Sequence, residues 1–189
     1  MTVIKDGTGQ GFLAGVNNAN QLLTRSVNIT EIAYASELGN AFQTDGETTI
    51  ASGTEKTVIV MVNNAEQNIE IERTFLSIKN QSGIITTVKT YLGTATVESG
   101  GSSKTPKNLN SSSLNTVNVT VLENNPTITS GSDVKIQEQY FQLQDTQTNE
   151  YAGGMVLGKN GSVRVTCTGG SGAVGTFTCD ASLLFFLEI

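Results

Sequence analysis

The sequence contains no histidine and no tryptophan, two prolines (Pro106 and Pro126) and two cysteines (Cys167 and Cys179). Without histidine, the serine and cysteine triads lose their usual general base. Two cysteines are too few for a disulfide scaffold, and two thiolates alone do not close a zinc tetrahedron. Basic charge is scarce as well: 11 Lys and Arg against 17 Asp and Glu leave a net charge of −6. These basic residues are dispersed, whereas nucleic-acid binding needs them clustered to displace counterions, so no direct nucleic-acid partner is expected. The longest apolar runs, at 58–62 and 183–187, have the length of strands and fall far short of a bilayer span. Residues 1–7 have no apolar signal core. The expectation is a protein made and used without Sec export and without a membrane partner.

What is present in quantity is uncharged polarity. Of 189 residues, 69 are Thr, Asn, Ser or Gln and 20 are Gly, while 15% are charged and 37% hydrophobic. That hydrophobic share allows a core, and Thr, Val and Ile with scattered Gly and Asn favour strands and turns over helices. The pattern predicts an all-β fold, a β-sandwich or jelly roll. It is preceded by an N-terminal arm, residues 1–45, carrying a short hairpin and one short helix; the β-domain is expected over residues 46–189. In the arm, residues 3–5, 12–16 and 21–29 read as strands, the last two around a turn at 17–20. Thr30 is the expected N-cap of the helix, and Gly39-Asn40 its stop.

Downstream, strands are predicted over 48–51, 57–62, 69–78, 84–92, 116–122, 134–143, 150–157, 162–168 and 176–188, with 98–113 an exposed loop. Asn160-Gly161 suits a type I′ hairpin turn. Alternation assigns Val58, Val60, Val62, Ile69, Ile71, Phe75, Val88, Val119, Val121, Phe141, Val163, Val165, Phe177, Leu184 and Phe186 to the core. A hairpin through residues 169–175 would set Cys167 and Cys179 side by side on the apolar face. They would be two free thiols packed as small hydrophobes, or a cross-strand disulfide.

Three patterns have the spacing of chemical motifs, and each reads as structure. Gly170-Ser-Gly172-Ala-Val-Gly175 matches a dinucleotide fingerprint, but a strand follows where a helix must open onto the pyrophosphate. The turn at residues 6–11 offers one carboxylate, Asp6, where a calcium loop needs several oxygen ligands. Glu70/Glu72 and Asp133/Glu138 are the carboxylate pairs available for glycoside hydrolysis. Glu70 and Glu72 alternate with Ile69 and Ile71, however, and are expected to face water. The reading is a protein that is not an enzyme, with no catalytic residues, no cofactor and no metal.

The stretch Val3-Ile-Lys-Asp-Gly-Thr-Gly-Gln-Gly-Phe-Leu-Ala-Gly-Val-Asn-Asn-Ala-Asn-Gln-Leu22, continuing to Glu37-Leu-Gly-Asn-Ala-Phe42, resembles the N-terminal region of small virion structural proteins of tailed bacteriophages. The resemblance carries no catalytic residue over. It implies a virion protein, and the leading expectation is a capsid decoration or cement protein. Such a protein would be a homotrimer bound to the phage major capsid protein on the capsid surface, assembled in the host bacterial cytoplasm. The alternative is a tail, neck or collar protein acting as a receptor- or glycan-binding module. The apolar arm residues Val3, Ile4, Phe12, Leu13, Val16, Leu22 and Leu23 exceed what so short a segment can bury alone, so they are expected to contact the capsid or another subunit. Phe185, Phe186 and Leu187 belong to a strand apolar on both faces, and a neighbouring subunit is the expected cover for the second face.

Overall fold

The computed structural model describes residues 3–5, 11–13, 15–16, 22–23, 31–79, 85–141, 146–151, 154–170 and 175–188, with side chains from residue 31 onward, Ser130 apart. Met1–Thr30 is one compact unit and Glu31–Ile189 a second. In the first unit, β1 (Val3–Lys5) pairs antiparallel with β2 (Gly11–Leu13), and β3 (Gly15–Val16) with β4 (Leu22–Leu23). The expected turn at 17–20 and the Thr30 cap lie outside the described residues.

The second unit opens with helix α1 (Glu31–Glu37). Strands β5 (Ala41–Ala51), β6 (Glu55–Asn63), β7 (Ile69–Lys79) and β8 (Thr86–Gly93) follow. Shorter pieces come next: β9 (Ala95–Ser99), β10 (Ser102–Ser103), β11 (Lys107–Asn108), β12 (Val119–Glu123) and β13 (Thr127–Ser130). The chain closes with β14 (Val134–Phe141), β15 (Thr146–Glu150), β16 (Val156–Leu157), β17 (Ser162–Gly169) and β18 (Thr176–Leu187). One sheet runs β10-β12-β6-β17-β8-β14; the other runs β11-β5-β18-β7-β15, with β16 also on β7. Strands β9 and β13 form a separate ribbon.

The order is that of a rolled-up hairpin. In sequence the long strands pair from the outside in: β5 with β18, β6 with β17, β7 with β15 and β16, β8 with β14. Laying that hairpin across two sheets gives β5-β18-β7-β15 facing β6-β17-β8-β14, the jelly-roll form of a β-sandwich. The expected boundary at 45/46 falls inside β5, and α1 packs on the sandwich, so the helix belongs with the β-domain.

The core lies between the sheets, and three of its strands correct the predicted parity. In β18 the inward set is Phe177, Cys179, Ala181, Leu183 and Phe185, which replaces the expected Leu184 and Phe186. In β6 the register against β17 jumps between Ile59 and Thr57. This bulge brings Val58, Ile59 and Met61 into the core cluster and leaves Val62 half-buried. On β7, Leu76 and Ile78 fill the place expected of Phe75. Phe42 stacks on Phe185, with ring centroids 5.8 Å apart.

Residues 98–113 do not form a free loop. Ser102 and Ser103 pair with β12 and Lys107 and Asn108 with β5, so the segment extends both sheets. Asn160 does take the left-handed conformation, with φ of 61°. The turn it makes joins strands of opposite sheets, β16 to β17, so the predicted hairpin is absent there. The same correction applies to the cysteines: β17 and β18 lie in different sheets, and Cys167 and Cys179 meet across the core as buried free thiols.

Candidate functional site

Helix α1 is stopped as its sequence demands. Gly39 takes a φ of 73°, the Gly39 amide donates to the Ser36 carbonyl at 3.0 Å and the Asn40 amide to the Ala35 carbonyl at 2.7 Å. This is a Schellman ending, and glycine is the residue that adopts it without strain. Three asparagines of the polar 108–115 segment satisfy the carbonyls that the helix end exposes. Asn110 Nδ2 donates to Glu37 O at 3.1 Å, Asn115 Nδ2 to Leu38 O at 3.3 Å, and Asn108 Nδ2 to Gly39 O at 2.8 Å. Nothing in the sequence distinguished these three asparagines from the other fourteen.

Held in this way, α1 lies on the outer face of the β5-β18-β7 sheet. Ala35, Ala41 and Phe186 form a small buried cluster there, with Ile32 against it. The expected subunit cover for Phe186 is therefore supplied by the same chain. Phe185 is fully buried in the main core and Leu187 packs at its margin. Phe185 and Phe186 are thus buried without a neighbour, and Leu187 is partly buried.

Beside that cluster is a recess of about 390 Å³ lined by Glu31 and Tyr34 of α1, Glu70 of β7, and Phe186 and Glu188 at the end of β18. Glu70 was expected to face water. It is only 9% exposed, because the outward side of β7 at this point lies next to the residues of α1. Its Oε1 is buried without a hydrogen-bond partner. Burial raises the Glu70 pKa, and the negative charges of Glu31, Glu72 and Glu188 raise it further. Glu188 accepts a hydrogen bond from Asn68 Nδ2 at 2.6 Å. Tyr34 leaves about half its surface, 49%, open to solvent.

The opposite sheet carries a different recess, about 460 Å³, lined by Val62, Asn64, Thr94, Ala95, Thr96, Val97, Thr120 and Asn160. In the second carboxylate pair each member has its own basic partner: Asp133 accepts from Arg164 at 2.8 Å, and Glu138 pairs with Lys135. Arg164 also lies over the Tyr91 ring, 4.6 Å from its centroid. Among the described residues, no group of three or more Cys, Asp or Glu is placed to hold a metal ion.

The arm residues fall in the first unit, where backbone register pairs Val3 with Leu13, Ile4 with Phe12 and Val16 with Leu22, and sets Leu23 opposite Gly15. All seven apolar positions singled out from the sequence thus belong to two short ribbons.

No family model matches this sequence, and no curated protein matches it. Among solved structures, the matches are weak ones to virus particles. The T13 particle of infectious bursal disease virus matches at 14% identity with a TM-score of 0.21, over 93% of this chain and 43% of that one. The VP2 subviral particle of the same virus matches at 10% identity with a TM-score of 0.20, over 78% of this chain and 41% of that one. This chain spans less than half the length of those proteins. Such scores do not amount to a common fold, and the jelly-roll assignment rests on strand order.

Proposed function

We propose that the chain is a non-enzymatic structural protein of a phage virion, a capsid decoration protein that binds the major capsid lattice and stabilises the head. The observation that carries this reading is the division of labour between its two units. Residues 31–189 form a jelly roll, an architecture used by viral capsid and lectin domains, and bury their own core. Residues 1–30 carry their apolar positions on two-stranded ribbons, which are marginal in water unless they pack on something more. The lattice is the proposed support, with Val3, Ile4, Phe12, Leu13, Val16, Leu22 and Leu23 as the contact set. Closed assembly as a homotrimer fits a position where capsid subunits meet. Neither nucleic acid nor membrane is a partner in this reading.

The recess lined by Asn64, Thr94, Thr96, Thr120 and Asn160 favours a second reading, a glycan-binding module of the tail, neck or collar, because hydroxyl and amide groups suit sugar hydroxyls. Copy number in purified virions separates the two. Quantitative mass spectrometry finding hundreds of copies per particle supports head decoration, and a handful supports the tail or neck.

A further inference from the structure

The recess beside α1 concentrates negative charge without an answering positive one. Glu31, Glu70 and Glu188 line it, and among the described residues none of the three is paired with a lysine or arginine. Seven of the nine Lys and Arg in the same body form ion pairs elsewhere, among them Arg73 with Glu150, Lys159 with Glu66 and Lys79 with Asp180. Glu70 is the distinctive member. An ionised carboxylate costs free energy when taken from water unless it is paired, yet Glu70 is nine-tenths buried and its Oε1 has no partner.

The remaining walls indicate what kind of cation fits. A hydrated metal ion gains nothing from Tyr34 and Phe186, and the three carboxylates do not converge on one point as metal ligands must. A guanidinium group uses every wall. Its N–H fork meets a carboxylate, its flat face lies against an aromatic ring, and its alkyl stem covers apolar surface. The volume, about 390 Å³, admits a side chain and is small for a folded element.

We propose that this recess is a receptor for an arginine side chain presented by a protein partner, with Glu70 as the buried anchor, Glu188 and Glu31 as flanking charges and Tyr34 as the stacking surface. The site does not depend on the virion reading. It assigns a partner chemistry to the α1 face of the jelly roll.

The test uses the full chain and two probes of nearly equal shape, Nα-acetyl-arginine amide and its neutral counterpart Nα-acetyl-citrulline amide. Binding is followed by amide chemical shifts at residues 34, 70 and 188. The arginine probe is expected to give saturable shifts and the citrulline probe none. Glu70→Gln is expected to weaken binding about tenfold or more, the scale of one hydrogen bond to a charged group. The proposal is overturned if both probes bind equally, if Glu70→Gln binds as well as the parent, or if the full chain shows no saturable response to the arginine probe.

Discussion

Phe185 and Phe186 are consecutive in β18 and both are buried, on opposite sides of one sheet. Phe185 stacks on Phe42 in the main core, whereas Phe186 is covered by α1 through Ala35. The two environments differ in depth, so the cost of truncation should differ. Phe185→Ala is expected to cost about 3–5 kcal/mol, and Phe186→Ala about 2 kcal/mol, because its small cluster can partly collapse. Urea denaturation measures both. A neutral Phe186→Ala would mean that α1 does not seal this face.

Glu70 gives a dependence on pH whose sign follows from its environment. The folded state holds the Glu70 proton above the ordinary carboxyl value of 4.5. Between that value and the raised one, the folded chain binds more protons than the unfolded chain, so this contribution to stability falls as pH rises. Glu70→Gln removes the penalty. Its melting temperature should exceed that of the parent at pH 7, by a stability on the order of 1 kcal/mol, and match it below about pH 4. A lower melting temperature at pH 7 would show that the carboxylate is stabilising.

Cys167 and Cys179 should be chemically silent in the folded protein. Both are fully buried, and the Cys179 thiol is held well above its ordinary value of 9.0, first by its hydrogen bond with Cys167 and then by burial. Ellman's reagent is expected to find almost no reactive thiol in the native chain and both thiols in guanidinium. The same shift means that this contribution to stability falls as pH rises above that ordinary value, since the unfolded thiol then ionises first. Rapid stoichiometric reaction of the native protein would place the thiols at a surface.

Gly39→Ala should destabilise for two reasons. A φ of 73° is strained for alanine, and the added Cβ would approach Ser113 Cβ to 2.5 Å. A loss of about 1–3 kcal/mol is expected, and thermal melts measure it. Gly53 has a similar φ of 67° but open space around it, so Gly53→Ala should show the backbone cost alone. Equal losses would remove Ser113 from the explanation.

The strand-rich fold was legible because Thr, Val and Ile alternate between clear turn signals. Parity was less legible. The bulge at Val58 shifts which residues of β6 face inward, and local alternation does not register a bulge that the partner strand imposes. The α1 face was misread for a related reason. Phe186 and Glu70 seemed to need a second subunit and solvent, respectively, because the helix that comes to lie near them is more than thirty residues away in sequence. The high Thr content does not mark a purely hydrated exterior: Thr44, Thr48, Thr57, Thr74, Thr86, Thr90 and Thr166 are buried. As β-branched residues they fill strand positions in a sandwich much as valine does.

Attachment through residues 1–30 is tested most directly by deletion. Capsids lacking this protein are mixed with the full chain or with residues 31–189, and occupancy is read by cryo-electron microscopy. The shortened chain is expected to keep the circular dichroism of a β-sandwich while its occupancy falls to background. Wild-type occupancy by residues 31–189 would contradict the arm's role and move the docking surface onto the jelly roll.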